Sequence, residues 1–496
     1  MGEQAIAHRG VVAARLTAVV NLIDPIDEAI ARVPERIAFV TGDQFVTYAA
    51  LGDAIDHASA ALVANGVTAG DRVALVDAAG TLAIATVLAC ARIGAAAAPM
   101  SARATPTEIA AMMKAAACGP VVVAGIDAAA RVREATGAKP LGEEILTSSG
   151  LTPAPRAAVS EEDVSVVLFT SGTTGVPKPV PLSHGVLGGR VRGFTAIDPS
   201  SMPTVSIVCV PFHHVAGLIG VLVGLAGGNT AVLQPRFDAG EWLDLVEQHR
   251  VQRVFLVPTM LQRIMAHPRF ARADLSSVQM ITYGAAPASA DLVARAVDAF
   301  PPTVAFIQVF GQTETLGAVT ALGPDDHTAG RAGSVGKAMA GVEIRIVDPV
   351  TGDDVPDGEV GEFWVRAQNT ATTGWVRSGD LVRRDAEGYL YVAGRMSDVI
   401  NRGGEKIDPA EVEAVLRAHT DVVDAAVCGI PDAELGELVG AVVVARAPVD
   451  PEALRAWCRN LLAGHKVPAR FVFVDELPLT ELGKVSRRDL RALLAP

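Results

Sequence analysis

Two patterns of hydrophobic and polar positions divide the chain. From about residue 36 to about residue 350, short runs rich in β-branched residues alternate with longer segments of helical period, such as Trp242–His249 and Asp291–Phe300. The short runs predict buried strands at Arg72–Val76, Val164–Phe169, Val205–Val210, Thr230–Leu233, Arg253–Val257, Val278–Tyr283 and Val304–Phe310. Strands that alternate with helices predict a largely parallel sheet covered on both faces, and such sheets bind ligands beyond the carboxyl ends of their strands.

After about residue 342 the pattern changes to short strands separated by turn dipeptides. From about residue 398 a compact region follows, with predicted helices at Pro409–Ala418 and Pro451–Leu462. A chain of this length is too long for one core. We therefore predict an α/β fold class: a large N-terminal domain of several subdomains with covered, mostly parallel sheets (residues 1–394), a hinge at 395–397 and a small α/β C-terminal domain at 398–496.

The composition favours a packed enzyme. Half of the 496 residues are hydrophobic and 20% are charged, which is unlike a disordered protein. The formal net charge of −13 argues against a nucleic-acid partner, because such partners favour a basic surface. The five cysteines are scattered without a CxxC pair, which is typical of reduced, mostly buried thiols and predicts a cytoplasmic location.

No membrane anchor and no secretory signal are expected. The most hydrophobic window, Val215–Gly228, is too short to span a bilayer and predicts a buried helix. Charged residues such as Glu3 and Arg9 precede any hydrophobic run, so a secretory signal is not predicted. We expect no stable insertion into a membrane.

The segment Thr170–Lys178 carries the most informative local chemistry, because it places hydroxyls, glycines and a lysine directly after a predicted strand. Glycines let backbone N–H groups turn towards a ligand, hydroxyls donate to phosphate oxygens, and the lysine adds a mobile positive charge. These properties predict a loop that holds a polyphosphate. It is not the common P-loop, since the glycine spacing differs and no Ser or Thr follows Lys178. A flexible surface loop is the alternative.

Further polar clusters follow predicted strands. The small residues of Tyr283–Pro287 would leave a flat slot for a planar base, or form a tight strand-to-helix turn. Phe310–Glu314 offers a ring, a hydroxyl and a carboxylate for a base, a phosphate and a metal ion, or caps a helix. Asp380, placed with Gly379 at a predicted turn, is able to accept both hydroxyls of a ribose, or is an ordinary turn residue.

Taken in order, these motifs resemble the acyl-adenylate-forming superfamily, which includes acyl-coenzyme A synthetases, aryl-acid activating enzymes, carrier-protein adenylation domains and beetle luciferases. The resemblance covers nearly the whole chain, from the region of Phe45–Val76 to the C-terminus. The motifs that carry it are TSGTTGVPK, PFHHVAG, YGAAP, FGQTE, SGD, GR, NRGGEKI and LPLTELGK. The resemblance makes the surface-loop alternative for Thr170–Lys178 the weaker one.

The resemblance implies two half-reactions, in which a carboxylate attacks the α-phosphate of ATP and a thiol then displaces AMP. The implied ATP- or AMP-binding residues are Thr170, Ser171, Gly172, Thr173, Thr174, Lys178, Gly284, Ala285, Ala286, Phe310, Gln312, Asp380 and Arg395. The first six belong to the segment that would hold the β- and γ-phosphates. The alanines and Phe310 would frame the adenine, and Asp380 with Arg395 would fix the ribose.

The implied catalytic residues are Lys484, Thr313, Glu314 and His214. Lys484 would bridge the carboxylate and the α-phosphate, a role suited to a point charge on a long stem. Thr313 would contact the α-phosphate, and Glu314 would bind Mg²⁺. His214 would stand between the acyl pocket and the thiol tunnel, with a buried structural histidine as the alternative. ATP, Mg²⁺ and coenzyme A are the implied substrates and cofactors.

By the same resemblance, the small domain is mobile and rotates between the two steps. Ser397 would be the hinge, and the loop that would then line the thiol tunnel contains Gly403, Gly404 and Lys406.

Three departures from the family pattern are visible. Pro179 follows the phosphate-loop lysine where the family usually has Gly, and proline fixes φ and removes an N–H donor. Ser397 stands where the hinge is usually Asp or Lys. The segment Arg366–Trp375 is shorter than in most members, in a wall that we expect close to the nucleotide.

The predicted acyl pocket is hydrophobic, with the lining residues Val215, Leu218, Met260, Val309 and Leu316. Val309 stands where malonate-activating relatives have a basic residue, and a buried unpaired carboxylate is unfavourable. The expected substrate is therefore a monocarboxylic acid with an apolar tail or ring.

Two alternatives remain for the function, and two for the assembly. The acceptor is coenzyme A, which His214 favours, or the phosphopantetheine of a carrier protein, since NRGGEKI also occurs in enzymes that load one. The three departures from the family pattern also allow a catalytically impaired nucleotide-binding protein. The expected assembly is a monomer or a homodimer.

Overall fold

The computed structural model describes residues 21–147, 150–152, 154–170, 177–192, 197–328, 330–367, 370–371, 374–480 and 484–495. These residues form two compact units. The first unit contains the described residues of 21–170, 177–236 and 249–252, and the second contains those of 237–248 and 253–495.

The first unit alternates helices and strands throughout its length. Its elements are α1 (Asp24–Arg32), β1 (Ile37–Thr41), β2 (Gln44–Thr47), α2 (Tyr48–Ala64), β3 (Arg72–Val76), α3 (Thr81–Arg92), β4 (Ala96–Met100), α4 (Pro106–Ala115), β5 (Val122–Ala124), α5 (Ala129–Thr136), β6 (Val164–Thr170), β7 (Lys178–Ser183), α6 (His184–Arg192), β8 (Val205–Val208), α7 (Val215–Ala226) and β9 (Thr230–Leu233).

These strands form two sets of hydrogen-bonded, mostly parallel strands. One has the order β5-β3-β4-β6-β7, in which only the last pair, β6 and β7, is antiparallel. The other has the order β8-β9-β1-β2, with an antiparallel β1–β2 hairpin at its end. The predicted parallel strands joined by helices are therefore observed.

The second unit begins with the same alternation and then changes to antiparallel strands. Its elements are α8 (Ala239–His249), β10 (Arg253–Leu256), α9 (Pro258–Ala266), β11 (Met280–Gly284), α10 (Ala290–Ala299), β12 (Ala305–Gln312), β13 (Gly317–Leu322), α11 (Pro324–Thr328), β14 (Lys337–Ala338), β15 (Val342–Val347), β16 (Val360–Ala367), β17 (Val376–Arg384), β18 (Leu390–Arg395), β19 (Ile400–Arg402), β20 (Glu405–Ile407), α12 (Pro409–Arg417), β21 (Val422–Asp432), β22 (Gly436–Ala445), α13 (Pro451–Leu461), β23 (Arg470–Phe473) and α14 (Arg487–Leu493).

Three strand groups make up this unit. In the order β14-β13-β12-β11-β10, the pairs β10–β11 and β11–β12 are parallel. The order β15-β16-β17-β18 is antiparallel throughout. The C-terminal sheet has the order β20-β19-β22-β21, and β23 joins β22 in parallel.

An Asp-Pro pair begins each of the two helices α12 and α13. Asp408 and Asp450 each accept a backbone N–H two residues ahead, from Ala410 at 2.9 Å and from Glu452 at 3.0 Å. Proline follows each aspartate at the first helical position, where its missing N–H is not needed. The helices predicted at Pro409–Ala418 and Pro451–Leu462 therefore begin at the predicted prolines.

The alternation of residues along β21 divides the C-terminal core in two. Ala425 and Val427 face a cluster with residues of α12 and α13, while Ala426 and Cys428 face a second cluster with Leu490 of α14. Both faces of this sheet are therefore covered by helices.

The predicted α/β fold class, with a separate C-terminal domain, is confirmed, while the predicted boundaries at 394–398 stay a prediction. All five cysteines are free, and four of them are buried. Within the described ranges, no helix combines the length and the hydropathy needed to cross a bilayer.

Candidate active site

The β6–β7 hairpin of the first unit carries the two ends of the predicted phosphate loop. Thr170, the last residue of β6, pairs with Lys178, the first residue of β7. Thr170 is half-buried and Lys178 is exposed. The residues between them, including the predicted Ser171, Gly172, Thr173 and Thr174, lie outside the described residues.

Pro179 occupies a place where a proline is tolerated. Strand β7 is an edge strand of the five-stranded sheet, and it pairs with β6 on one side. Pro179 faces Phe169 and Pro181 faces Val167, so both prolines occupy alternate positions of an edge strand. Alternate residues direct their N–H groups to the same side, and here that side is the open edge, where no ladder bond is lost.

His214 stands at the start of α7, in the first unit. It is the N-cap residue of that helix, and its ring lies 4.3 Å from the ring of His213, centroid to centroid. Both histidines are half-buried. Of the predicted pocket residues that follow, Val215 is half-buried and Leu218 is fully buried.

In the second unit, the predicted adenine residues follow β11. Gly284 ends this strand opposite Val309 of β12, and a Cβ atom on Gly284 would lie 2.1 Å from the Val309 carbonyl oxygen. A residue without a side chain is therefore required there. Ala285 then takes a positive φ of 64°, which turns the chain away from the sheet, and Ala286 is half-buried.

The end of β12 carries the predicted aromatic and metal-binding residues. The ring of Phe310 packs 5.5 Å from that of Phe363, against the hydrophobic core of β15–β18. After Gln312 comes a single 3-10 turn, Thr313–Thr315, whose Thr315 hydroxyl accepts the Gln312 N–H at 3.0 Å. Gln312 is therefore the N-cap residue of this turn, in agreement with the helix-cap alternative for the motif. Thr313 and Glu314, on the turn, are half-buried.

The predicted pocket residues of the second unit are mostly inaccessible. Met260 on α9 is 5% exposed and Leu316, directly after the 3-10 turn, is 1% exposed. Val309 is half-buried.

The shortened segment Arg366–Trp375 contacts the Glu314 turn. The backbone N–H of Ala371 donates to the Glu314 carbonyl at 3.0 Å. The guanidinium of Arg366 lies 4.7 Å from the ring centre of Trp375, so a cation–π contact joins the two ends of the segment. Residues 368–369 and 372–373 are outside the described residues.

Asp380 and Arg395 form a cross-strand ion pair between β17 and β18. Arg395 Nε donates to Asp380 Oδ1 at 2.6 Å, and Asp380 is only 5% exposed. Burial alone would lower the pKa of Arg395, but the nearby carboxylates of Asp380, Asp398 and Glu314 raise it. The predicted ribose pair therefore lies close to the predicted metal ligand Glu314.

The predicted turn at Gly379 and Asp380 is wrong. Both residues lie inside β17, where Glu362 of β16 pairs with Leu381 and Trp364 pairs with Arg377. Three residues of β17 thus face one of β16, which is a bulge, and Gly379 there has a φ of 72°. The bulge bends the strand and directs Asp380 towards Arg395.

Lys484 belongs to the same charged cluster. Its carbonyl accepts the Thr480 N–H at 2.7 Å, and Leu479 pairs with Val485, so it sits beside a small β-bridge. Desolvation of its ammonium group and the positive charge of Arg395 lower the pKa of Lys484, while Asp380 opposes them. Electrostatic interactions thus link Lys484 to Arg395 and Asp380, and Arg395 to Glu314.

The predicted hinge and tunnel residues lie just after β18. Ser397 is in the 3-10 turn Met396–Asp398, and its hydroxyl donates to Asp398 Oδ1 at 3.1 Å. Gly403 and Gly404 form the two-residue turn between β19 and β20, both with positive φ. Lys406, on β20, is exposed.

Two side-chain pairings that no motif indicated lie next to predicted site residues. The buried Tyr283, next to Gly284, has its hydroxyl 2.9 Å from His327 Nε2, and burial raises the pKa of Tyr283 and lowers that of His327. Asp398 and Arg487 form an ion pair at 3.6 Å. Each pairing joins residues that are far apart in sequence, so spacing gave no signal for it.

The carboxylate of Glu314 fits a magnesium ion held mainly by a nucleotide. Among the described residues, no three His, Cys, Asp or Glu side chains are grouped to hold a metal ion. Mg²⁺ does not require such a group, because it usually takes one or two carboxylates together with substrate phosphates and water. Glu314, beside the cluster predicted to bind ATP, provides one such carboxylate.

Comparison with known proteins places this geometry in a family. The AMP-binding enzyme family matches residues 26–375, and the AMP-binding enzyme C-terminal domain matches residues 411–484. The feruloyl-CoA synthase of an Amycolatopsis species is 36% identical and aligns over 92% of this chain and 96% of its own length. The indoleacetate–CoA ligase of Aromatoleum aromaticum is 34% identical over 96% of this chain and 98% of its own.

A solved structure gives the same result. The o-succinylbenzoate CoA synthetase of Bacillus subtilis, in complex with its acyl-adenylate intermediate, superposes with a TM-score of 0.81 and 28% identity. The match covers 95% of this chain and 98% of the other, and the same enzyme has been solved with ATP and a magnesium ion. The chain therefore belongs to the AMP-binding enzyme family, within the acyl-adenylate-forming superfamily that its motifs predicted, and its enzyme class is that of the AMP-forming ligases.

Proposed function

We propose that this enzyme activates a monocarboxylic acid with ATP and transfers the acyl group to coenzyme A, giving acyl-CoA, AMP and pyrophosphate. The observation that carries the proposal is the convergence of Glu314, Asp380, Arg395 and Lys484 in the second unit. Two carboxylates and two cations from distant parts of the chain act on one another there, as the proposed chemistry needs. The relatives, which by name are CoA synthases and ligases, support coenzyme A as the acceptor.

In the first half-reaction, a carboxylate oxygen of the acid bonds to the α-phosphorus of ATP. The bond from that phosphorus to the bridging oxygen breaks, and pyrophosphate leaves with the electron pair. We assign Lys484 to stabilise the negative charge that gathers around the reacting carboxylate and α-phosphate, with Thr313 donating to the same phosphate. The anionic nucleotide would raise the lowered pKa of Lys484 and so keep it charged for this step.

The other nucleotide contacts follow from the positions of the side chains. Asp380, already held by Arg395, would accept the ribose hydroxyls through its free lone pairs. The backbone of Gly284–Ala286 and the chain at Phe310 and Gln312 would border the adenine. Thr170, Lys178 and the loop residues between them would bind the β- and γ-phosphates.

Magnesium would be held by Glu314 and the phosphates, and it would neutralise part of their negative charge. The turn Thr313–Thr315 carries Glu314, whose charge acts on Arg395 of the ribose pair, and this supports the assignment. ATP and Mg²⁺ are supported by the solved complex of the Bacillus subtilis relative.

In the second half-reaction, the thiol sulfur attacks the acyl carbon, the thiol loses its proton, and AMP leaves with the electron pair of the broken carbon–oxygen bond. We assign His214, at the start of α7, to the passage between acid and thiol. The exposed turn at Gly403 and Gly404, with Lys406, would line the thiol path after a rotation at Ser397.

The acid is proposed to carry an apolar ring. The predicted pocket residues are hydrophobic, and Met260 and Leu316 are buried without a cation among them that would pair with a second carboxylate. Both curated relatives described above are named for aromatic acids, ferulic and indoleacetic. A cytoplasmic location and a monomeric or homodimeric state stay predictions.

A carboxylate panel tests the proposal. Phenylpropenoic acids, indoleacetate, straight-chain fatty acids and malonate are each mixed with ATP and Mg²⁺, with and without coenzyme A, and both AMP and pyrophosphate are measured. We expect AMP formation that depends on coenzyme A with at least one apolar monocarboxylate, and none with malonate. A Lys484→Ala protein, folded as judged by circular dichroism, should lose this activity.

Each alternative has its own outcome in the panel. Pyrophosphate release without a thioester of free coenzyme A would favour loading of a carrier protein. No pyrophosphate with any acid would favour a catalytically impaired nucleotide-binding protein. A Lys484→Ala protein as active as the parent would contradict the proposed mechanism.

A further inference from the structure

Arg487 joins three separate elements of the second unit. Its Nη1 donates to Glu413 Oε1 on α12 at 3.0 Å and to the carbonyl of Val427 on β21. Its Nε lies 3.6 Å from Oδ2 of Asp398, which ends the 3-10 turn after β18. The Arg487 and Asp398 side chains are each 28% exposed, so water screens this ion pair only in part.

On one side, Arg487 is directly coupled to Lys484. The two residues flank the same short segment, and the N–H of Ser486 donates to the carbonyl of Pro478 at 2.9 Å. Ser486 also caps α14, which begins with Arg487. Arg487 therefore ends the short segment that carries Lys484.

On the other side, Asp398 is coupled to the ribose pair. It is the last residue of the 3-10 turn that follows Arg395, and Arg395 donates a hydrogen bond to Asp380. Burial acts to lower the pKa of both arginines, but Asp398 contributes to raising the pKa of Arg395 and of Arg487. One carboxylate therefore lies between the cation that holds the ribose ligand and the cation that begins α14.

We propose that Asp398 is a positioning residue for adenylation: through Arg487, it holds the Lys484 segment against the strand end that carries Arg395. This role rests on the proposed function, in which Lys484 acts in the first half-reaction and not in the second. Asp398 acts through Arg487 and touches neither substrate. Glu413, the other carboxylate partner of Arg487, lies on α12 and binds the N–H of Val427 on β21, so its task is to stabilise the C-terminal core.

Two substitutions separate the roles of these carboxylates. Asp398→Asn and Glu413→Gln each remove one negative charge next to Arg487 and keep the size of the side chain. For each protein, ATP–pyrophosphate exchange reports the first half-reaction. Thioester formation from a chemically prepared acyl-adenylate and coenzyme A reports the second, with the best acid of the panel.

We expect Asp398→Asn to lower pyrophosphate exchange about tenfold, because small displacements of a catalytic group have effects of this order. Thioester formation should stay within about twofold of the wild-type rate, as a charge with no part in that step predicts. Glu413→Gln should lower the unfolding temperature and change the ratio of the two rates less than Asp398→Asn does. Asp398→Glu should restore part of the lost exchange.

A second readout does not need activity. Labelling of lysines with acetic anhydride, followed by peptide mass spectrometry, should modify Lys484 faster in Asp398→Asn than in the wild type, relative to Lys406, which like Lys484 is exposed. An unchanged ratio of half-reaction rates together with unchanged labelling would overturn the role of Asp398 alone. A wild-type protein without pyrophosphate exchange for any acid would overturn the proposed function and this role with it.

Discussion

Two antiparallel strand pairs of the molecule carry predicted nucleotide ligands on facing residues. In the first unit, Thr170 of β6 faces Lys178 of β7. In the second unit, Asp380 of β17 faces Arg395 of β18. Both pairs use the close approach of neighbouring strands to place a cation opposite an oxygen-bearing side chain.

The two pairs differ in whether the protein itself provides a partner for the charged side chain. Asp380 is 5% exposed and already binds Arg395 at 2.6 Å, so its charge is satisfied by the protein itself. Lys178, the first residue of β7, is exposed, so water satisfies its charge. The β17–β18 pair is therefore part of the fold as well as of the site, whereas the β6–β7 pair serves the ligand. Changes at the two places should consequently have different signatures.

The largest effect is expected from Asp380→Asn. It should lower kcat/KM for ATP about 100-fold, since it removes the ribose acceptor and the negative charge opposite Lys484. It should also reduce the free energy of unfolding by about 1–2 kcal/mol, a moderate value because the Arg395 side chain is half exposed. Steady-state kinetics and urea unfolding measure the two effects.

A surface ion pair nearby supplies the control for Asp380→Asn. Arg384 on the same strand, β17, binds Asp357 at 2.6 Å, and both side chains are exposed. Asp357→Asn should change neither ATP use nor stability beyond about 0.5 kcal/mol. If the two substitutions destabilise the protein equally, the β17–β18 pair has no special structural role.

A smaller and purely functional effect is expected from Lys178→Ala. The KM for ATP should rise about tenfold, the size of one charge-assisted phosphate contact, while the unfolding midpoint stays unchanged. Lys114, an exposed lysine on α4, provides the matched substitution Lys114→Ala, which should have no effect on either quantity. A shift of the unfolding midpoint in Lys178→Ala would contradict the distinction between the two strand pairs.

The pH dependence sharpens the comparison, because Lys484 lies beside the β17–β18 pair. The pKa of Lys484 is lowered by desolvation and by Arg395, so kcat/KM for ATP, which reports the free enzyme, should decline with rising pH below the usual pH range of a lysine. A lysine with a lowered folded-state pKa binds fewer protons than in the unfolded chain, so its contribution to stability increases with pH between the two values.

Two variants test that pH profile. Asp380→Asn should move the decline to lower pH, since it removes the carboxylate that opposes the other two effects. Lys484→Arg should abolish the decline within the measured range, because arginine stays charged. A profile of the wild type that coincides with that of Lys484→Arg would show that Lys484 does not titrate in catalysis.

The same comparison shows what the sequence was able to predict. Helices such as α12, which begins at the predicted Pro409, follow from local periodicity and punctuation. The position of Asp380 did not follow, because the bulge in β17 depends on its register with β16, which local sequence does not contain. The pairing of Asp398 with Arg487 also depends on tertiary contact and has no motif.

The motifs predicted the main site residues but not their surroundings. The aromatic residue of the FGQTE motif suggested a ring facing a base, yet the ring of Phe310 packs on Phe363, a partner supplied by β16. Likewise, the sequence showed that the segment before Trp375 is short, but not that a cation–π contact between Arg366 and Trp375 joins its two ends. Such contacts are set by packing between elements, which spacing along one chain does not encode.

The smallest effect is expected at Pro179, although it is the most conspicuous departure in the β6–β7 pair. Its nitrogen faces the open edge of β7, so Pro179→Ala adds an N–H that water satisfies and removes no bond of the ladder. Unfolding stability should change by less than about 0.5 kcal/mol, and the KM for ATP by less than about twofold. Calorimetry and ATP titration of the initial rate measure both. A KM as high as that of Lys178→Ala would mean that the fixed φ of Pro179 orients Lys178, and the β6–β7 pair would then be as preorganised as the β17–β18 pair.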